Sequence, residues 1–209
     1  MVHSKLVPNM EYAQLASDEQ IERTAAALEE HNIHVLIAAN GEEAKNLLFD
    51  IIPEGAEVFT GSSRTLDTLD IPADVDTRYD SVRVKLATMD RGTQMREMVK
   101  MGAVPEYILG SVHAVTEDGS VVVASLTGSQ LAPYAASAGH VVWVVGAQKI
   151  VPTLEDAMKR VQEYTYPLVD EQSLQVLGVN SGINKLLVIN KEVMPGRTTM
   201  IIVKEELGY

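Results

Sequence analysis

The sequence contains no cysteine in 209 residues. That excludes disulfides, thiolate catalysis and any cysteine-ligated iron–sulfur or zinc centre within this chain. Basic residues are scarce as well, 17 Lys and Arg against 29 Asp and Glu, for a formal net charge of −12 and a pI near 4.8. Such a surface repels phosphate backbones and anionic lipid, so neither nucleic acid nor a membrane is expected as the main partner. No apolar run approaches the roughly 18 residues of a membrane-spanning helix. The N-terminal stretch MVHSKLVPNMEYAQLASDEQ lacks the apolar core of a secretory signal, and a cytoplasmic location is expected. None of the five histidines has a partner at HxxxH spacing, which argues against a metal site. Internal repeats, low-complexity linkers, a P-loop and a dinucleotide fingerprint are all missing.

What is present is a chain that is 46% hydrophobic and long enough for one domain. Residues 1–16 read as an N-terminal arm and 17–209 as a single domain. Ser17 and Gln20 have capping-box spacing, and Ile21, Thr24, Ala25 and Leu28 follow on one helical face. Residues 33–38 (IHVLIA) read as a buried strand, and Ala44, Leu47, Leu48 and Ile51 as a second helical face that Pro53 and Gly55 terminate. A strand at 56–60 and a further helix-like stretch repeat the alternation. Uninterrupted apolar strands in strand–helix–strand–helix order predict an α/β fold with a mostly parallel sheet flanked by helices. Residues 74–87 fit helix or strand equally well. Residues 93–101 read as helical, with Met95, Met98 and Met101 as core or interface packing residues. Runs at 107–116 and 121–125 flank Asp118-Gly119, a strong hairpin signal that predicts a small β-hairpin appendage. A helix is expected over 128–138, the most apolar strand at 141–146 (VVWVVG), and a helix capped by Thr153 with Asp156. Strands at 185–189 and 199–204 surround the turn Pro195-Gly196.

Four clusters could carry chemistry. FTGSSRTLDTLDI, residues 59–71, places Gly61, Ser62, Ser63, Arg64 and Thr65 at the end of a strand. There, free N–H groups, hydroxyls and a guanidinium could cradle an anion; equally, Ser62 or Ser63 could be a simple N-cap. Glu117 or Asp118, in the hairpin with Gly119, is a candidate general base or carboxylate nucleophile, or a solvated turn residue. Gly128, Ser129 and Gln130 form a second glycine–hydroxyl loop. Gln148-Lys149 follows the strongest strand, where a lysine can meet an anion in a cleft or simply face solvent. Asn180, Ser181, Asn184 and Lys185 form a weaker polar cluster. His113 lies in a strand-like run and reads as a satisfied residue.

Taken together, IPEGAEVFTGSSRTLDTLDI, SVHAVTEDGSVVVASLTGSQL, VVGAQKIV and PGRTTMIIVKEELGY, in this order, resemble the lactate-utilisation (LUD) domain family from about residue 17 to 209. The resemblance implies a fold like the sugar isomerase, ribose-5-phosphate isomerase and CoA-transferase superfamily, with the active site at strand C-termini. It implies that Gly61, Ser62, Ser63 and Thr65 form an anion-binding turn. Glu117 and Gly119 would then hold an acidic hairpin position, Gly128, Ser129 and Gln130 the following glycine loop, and Lys149 the next strand end. Lacking cysteines, the chain resembles the short stand-alone form. The function implied is binding of a phosphorylated, carboxylated or CoA-like anion in organic-acid metabolism, with enzyme activity through Glu117 as one possibility. The alternative is an accessory or regulatory subunit of lactate utilisation beside an iron–sulfur or oxidoreductase partner. A homo-oligomer is expected, and no particular cofactor is implied.

Overall fold

The structure, a computed structural model, describes residues 6–209. Residues 1–5 of the expected arm lie outside them. The main sheet has six parallel strands: β1 (Ile33–Ala38), β2 (Glu57–Thr60), β3 (Asp80–Ser81), β4 (Tyr107–Gly110), β7 (His140–Gly146) and β10 (Thr198–Val203). Their spatial order is β1-β10-β7-β4-β2-β3. A second sheet, in the order β8-β5-β6-β9, is built from β5 (Ala114–Thr116), β6 (Val121–Ser125), β8 (Ile150–Val151) and β9 (Lys185–Ile189). The helices are α1 (Asp18–Glu30), α2 (Gly41–Ile51), α3 (Arg64–Thr68), α4 (Ile71–Arg78), α5 (Val82–Ala87), α6 (Met95–Ala103), α7 (Leu154–Arg160) and α8 (Tyr166–Leu177).

The alternation of strand residues explains why both faces of the main sheet are covered. In β7, Val141, Trp143 and Val145 enter one core while Val142 and Val144 enter the other. In β10, Met200 and Ile202 take the first side and Ile201 and Val203 the second. Period-two side chains on a fully buried strand produce this division, and it is why VVWVVG reads as one continuous apolar run. Ile21 and Leu28 of α1, with Val115, Val121 and Val123 of the second sheet, close the first core. Ala44 and Leu48 of α2 with Ile71 and Val75 of α4 close the second. The second sheet is itself two-sided. Val122 and Ala124 of β6 turn away from the main sheet, against Ala157 and Val161. The expected hairpin is therefore one half of a packed layer, with β5 and β6 antiparallel.

Helix starts follow their local chemistry. Ser17 Oγ accepts the Gln20 N–H while the Gln20 side chain accepts the Ser17 N–H, completing the capping box. Asn40 caps α2 and Thr153 caps α7 in the same way. The segment at 74–87 resolves as the end of α4, the two-residue β3, and α5.

Several expectations need correction. The apolar run 107–116 is two strands in different sheets, since β4 pairs with β2 and β7 whereas β5 pairs with β6 and β8. Residues 128–138 do not form one regular helix: Gly128 is left-handed, at φ +88°, and Pro133–Ser137 is a π-helical turn. Of the two packing roles expected for the α6 methionines, a core role is slight, since Met95 is exposed and Met98 and Met101 are half-buried. The arm is docked from residue 9 onward, with Asn9 N–H donating to Glu163 O and Ala16 N–H to Ala147 O.

Where β4 ends, Gly110 leaves space for the Tyr134 ring. A Cβ there would lie 1.6 Å from the Tyr134 hydroxyl oxygen. Tyr134 stands edge-on to Trp143, with ring centroids 5.5 Å apart, so it cannot retreat into the core without displacing that ring. Gly110→Ala is expected to cost about 1–3 kcal/mol through overpacking, read as a lower urea midpoint at unchanged slope. An unchanged midpoint would show that Tyr134 yields freely.

Candidate active site

The C-terminal ends of β2, β4 and β7 open into a cleft of about 400 Å³. Residues 62–65 and 111–113 form one side, the loop after β6 another, and Val169 and Gln172 of α8 with Tyr209 a third. Strand C-termini are where open α/β sheets bind ligands, because the loops there diverge while the strands hold them rigidly.

Lys149 is the centre of this arrangement. A 3-10 turn directly after β7 carries it under the cleft, and the residue is 1% exposed. Its Nζ donates to Thr65 Oγ1 at 2.8 Å and to Ser111 Oγ at 3.1 Å. Thr65 Oγ1 in turn donates to Leu207 O at 3.1 Å, so its own proton is committed elsewhere. Beyond Lys149 lies a second buried cation, Arg160, at 0% exposure. Arg160 Nε donates to Gln148 O at 3.3 Å, and Nη1 donates to Thr165 Oγ1 at 3.2 Å and to the His113 carbonyl. Its Nη2 is buried without a hydrogen-bond partner among the described residues, and the guanidinium lies 4.9 Å from the Tyr164 ring centroid. Among the described residues neither cation is ion-paired to a carboxylate. Arg197 shows the ordinary solution: equally buried, it meets Glu192 at 2.6 Å.

An unpaired buried cation is costly, so the protein shifts the proton equilibrium. Burial first, then the nearby Arg160 guanidinium, hold the Lys149 amine well below its ordinary value. Burial lowers Arg160 to about 10. His113, beside both, is lowered to about 3 by burial and then by Lys149 and Arg160. Its Nδ1 accepts the Ala124 N–H at 3.1 Å, which places the remaining proton of the neutral ring on Nε2. Arg64 is exposed at the cleft with no ion pair among the described residues, and Asp67 is the one carboxylate among the described residues lining it. A chain of net charge −12 thus places the guanidinium groups of Arg64 and Arg160 at and beneath one strand end, which is a local field for an anion.

The structure brings Ser62, Ser63, Arg64, Thr65, Ser129, Gln130 and Lys149 to this one cleft. Of the two readings of residues 59–71, the N-cap is observed, and the turn also borders the cleft. Ser63 Oγ accepts the Leu66 N–H as a true N-cap, and the same residue lines the cleft. Since α3 has only five residues, its macrodipole is slight, and the cleft's positive charge comes from side chains. Gly61 supports the turn from behind, its N–H donating to Leu109 O at 2.9 Å.

Glu117, Gly119 and Gly128 stand elsewhere. Glu117 is outside the cleft, 17% exposed at its side chain, accepting from Gln20 Nε2 at 2.9 Å and held by Arg23 at 2.6–2.8 Å. It joins the hairpin to α1, and the reaction-centre role expected for it has no support in its position. Gly119, at φ +86°, packs on Ala27 and His31 of the same helix side, and Gly128 makes room for the Lys185 side chain. Sequence reading missed Ser111, Tyr134, Arg160 and Tyr209 and passed over His113. Only Arg160 left a trace, as a charge on the α7 face shared with Ala157, and an arginine there usually reaches solvent.

Two outcomes follow. The Lys149 amine titrates below its unfolded value of 10.5, so on the alkaline side of neutrality the unfolded chain binds more protons and stability rises with pH. In that window His113 is already neutral, and Arg160 keeps its proton up to about 10. A melting-temperature series from neutral pH to just under 10 should show this rise in the wild type relative to Lys149→Met; parallel curves would mean that Lys149 is not desolvated. Glu117→Gln should lose only about 0.5–1 kcal/mol, because Arg23 is half-exposed, and should leave ligand affinity of the cleft unchanged by calorimetry.

Comparison with known proteins places the architecture. A crystal structure of a DUF162 family protein from Deinococcus radiodurans matches with a TM-score of 0.50 at 12% identity, covering 91% of this chain and 99% of that one. At that identity the likeness bears on the fold alone. The search of curated proteins gave no match. The LUD domain model spans residues 21–203, from the first buried residue of α1 to the last residue of β10, and the chain therefore belongs to the LUD domain family, named for lactate utilisation.

Proposed function

We propose that the protein binds a small organic anion of organic-acid metabolism in the cleft between Ser62–Thr65, Ser111 and Lys149. The observation that carries this reading is Lys149, buried without a carboxylate partner at the end of the most apolar strand. Burial holds an amine so placed toward its neutral form in the free protein, and an anion entering the cleft supplies the counter-charge that its protonated form lacks. The volume of about 400 Å³ suits a metabolite rather than a macromolecule. Arg64 supplies a guanidinium that can take a carboxylate in bidentate fashion. Ser62, Ser129 and Gln130 add donors on the facing walls.

Exposed Leu186 and Val188 on the edge strand β9 favour a second reading, in which the chain serves as an accessory or regulatory subunit within an assembly. The two readings agree on the cleft and differ on whether ligand occupancy matters to a partner.

The test is a thermal-shift series with lactate, pyruvate, sugar phosphates, acyl-CoA species and inorganic phosphate. A ligand at 100 times its Kd stabilises by about 2.7 kcal/mol. At least one carboxylate or phosphate should raise the melting temperature of the wild type, and Lys149→Met and Arg64→Gln should abolish or weaken the shift. A series without any shift, or an undiminished shift in both variants, would reject the cleft as the binding site.

A further inference from the structure

The hydrogen bonds of Lys149 have a consequence beyond binding. A neutral amine has two N–H bonds and one lone pair. Both acceptors around Nζ, Thr65 Oγ1 at 2.8 Å and Ser111 Oγ at 3.1 Å, take N–H bonds, and Thr65 cannot do otherwise because its own proton goes to Leu207 O. The remaining valence of nitrogen is then the lone pair, and Lys149 lines an open cleft. An ammonium in the same place would leave its third N–H without a protein acceptor among the described residues. Desolvated lysines freed of ion pairs are the ones that act as nucleophiles toward carbonyl carbon.

The surroundings state the kind of carbonyl compound. Arg64 lies in the same cleft, exposed and not ion-paired among the described residues, and suits a carboxylate. On another side the cleft continues into a recess of about 50 Å³ where Leu126, Val161, Val169 and Ile183 stand beside His113, Ser125, Thr165 and Ser181, and its apolar part suits a short alkyl group. Carboxylate, carbonyl and short alkyl group in one small molecule make an oxo acid, and a 2-oxo acid is the smallest that carries all three.

Resting on the anion-binding reading above, we infer that Lys149 forms an imine with a short-chain 2-oxo acid, with Thr65 and Ser111 orienting its amine. The nitrogen lone pair attacks the carbonyl carbon to give a carbinolamine. A C=N bond then replaces the C=O bond, and the oxygen leaves as water with the two amine protons. Ser111, 3.1 Å from Nζ and with no acceptor for its own proton among the described residues, is the group placed to hydrogen-bond the departing oxygen. Burial and Arg160 favour the reactive amine form of the lysine.

The experiment is reductive trapping on the full chain. Purified protein is incubated with pyruvate or glyoxylate and sodium borohydride, whose hydride reduces an imine to a stable secondary amine, and the labelled peptide is mapped by mass spectrometry. The expected result is loss of the unmodified Lys149 peptide, labelling of Lys149 far above every surface lysine, and no label from lactate, which has the carboxylate but no carbonyl. Excess lactate should reduce the labelling by competition. Because the mapping is done on wild-type protein, it does not depend on a variant that folds. A pyruvate-induced thermal shift with no adduct at Lys149, or with label spread evenly over surface lysines, overturns the imine and leaves the anion-binding reading standing. Neither shift nor adduct with any 2-oxo acid overturns both.

Discussion

A lysine amine buried at the end of a parallel strand, with no carboxylate to neutralise it, is the constraint around which the cleft is arranged. Such a group is tolerated only if the scaffold is rigid and its remaining hydrogen bonds are well made. Both conditions hold. β7 is hydrogen-bonded along both edges, to β10 and β4, and buried on both faces, so the turn carrying Lys149 cannot move away from the core. Thr65 and Ser111, from the ends of β2 and β4, supply the two acceptors. Three adjacent strand ends therefore converge on one nitrogen, and the rest of the cleft is built outward from it.

The second sheet makes this convergence a cleft instead of an open rim. It is inserted in two pieces, β5 and β6 between β4 and β7, and β8 and β9 between β7 and β10. Since it shares Val115, Val121 and Val123 with the core of the main sheet, its position is set by hydrophobic packing over a broad area and not by a linker. The loop after β6 is thereby held opposite residues 62–65. The segment after β10 is fixed in turn by Gln148 Nε2, which donates to Leu207 O at 3.0 Å and Gly208 O at 3.2 Å, and it brings Tyr209 to the cleft. The unpartnered Arg160 Nη2 and the absence of ion pairs around Lys149 concentrate electrostatic cost in one place, while carboxylate pairs elsewhere, such as Arg197–Glu192 and Arg23–Glu117, carry ordinary structural duties.

Much of the fold is legible from local chemistry, and the exceptions have physical reasons. Ser17 with Gln20, Asn40, Ser63 and Thr153 act as caps because a hydroxyl or amide one turn ahead of free N–H groups finds the same partners in almost any context. Residues 107–116 misled because a continuous apolar run does not reveal which sheet each half joins; Ser111 and Val112 are the crossing point between the two. Residues 128–138 misled because Pro133 and the space demanded by Tyr134 beside Gly110 impose a π-helical turn on a helical pattern. Glu117 misled because a carboxylate beside Asp-Gly is equally suited to chemistry and to an ion pair, and Arg23, far away in sequence, decided for the ion pair.

By itself the sequence determined the α/β class, the parallel central strands, the starts of α1 and α7 and the assignment of glycine–hydroxyl turns to strand ends, because propensity, periodicity and capping act over a few residues. Only the tertiary structure decided that residues 62–65, Ser111, Gln130 and Lys149 share one cleft while Glu117 does not. The same holds for the chemistry of Lys149. Its identity and its place after VVWVVG are plain in the sequence, but its hydration, its lack of a counter-charge and the neighbouring Arg160 come from segments brought together by long-range packing. Desolvation is a property of the whole fold, and no local pattern encodes it.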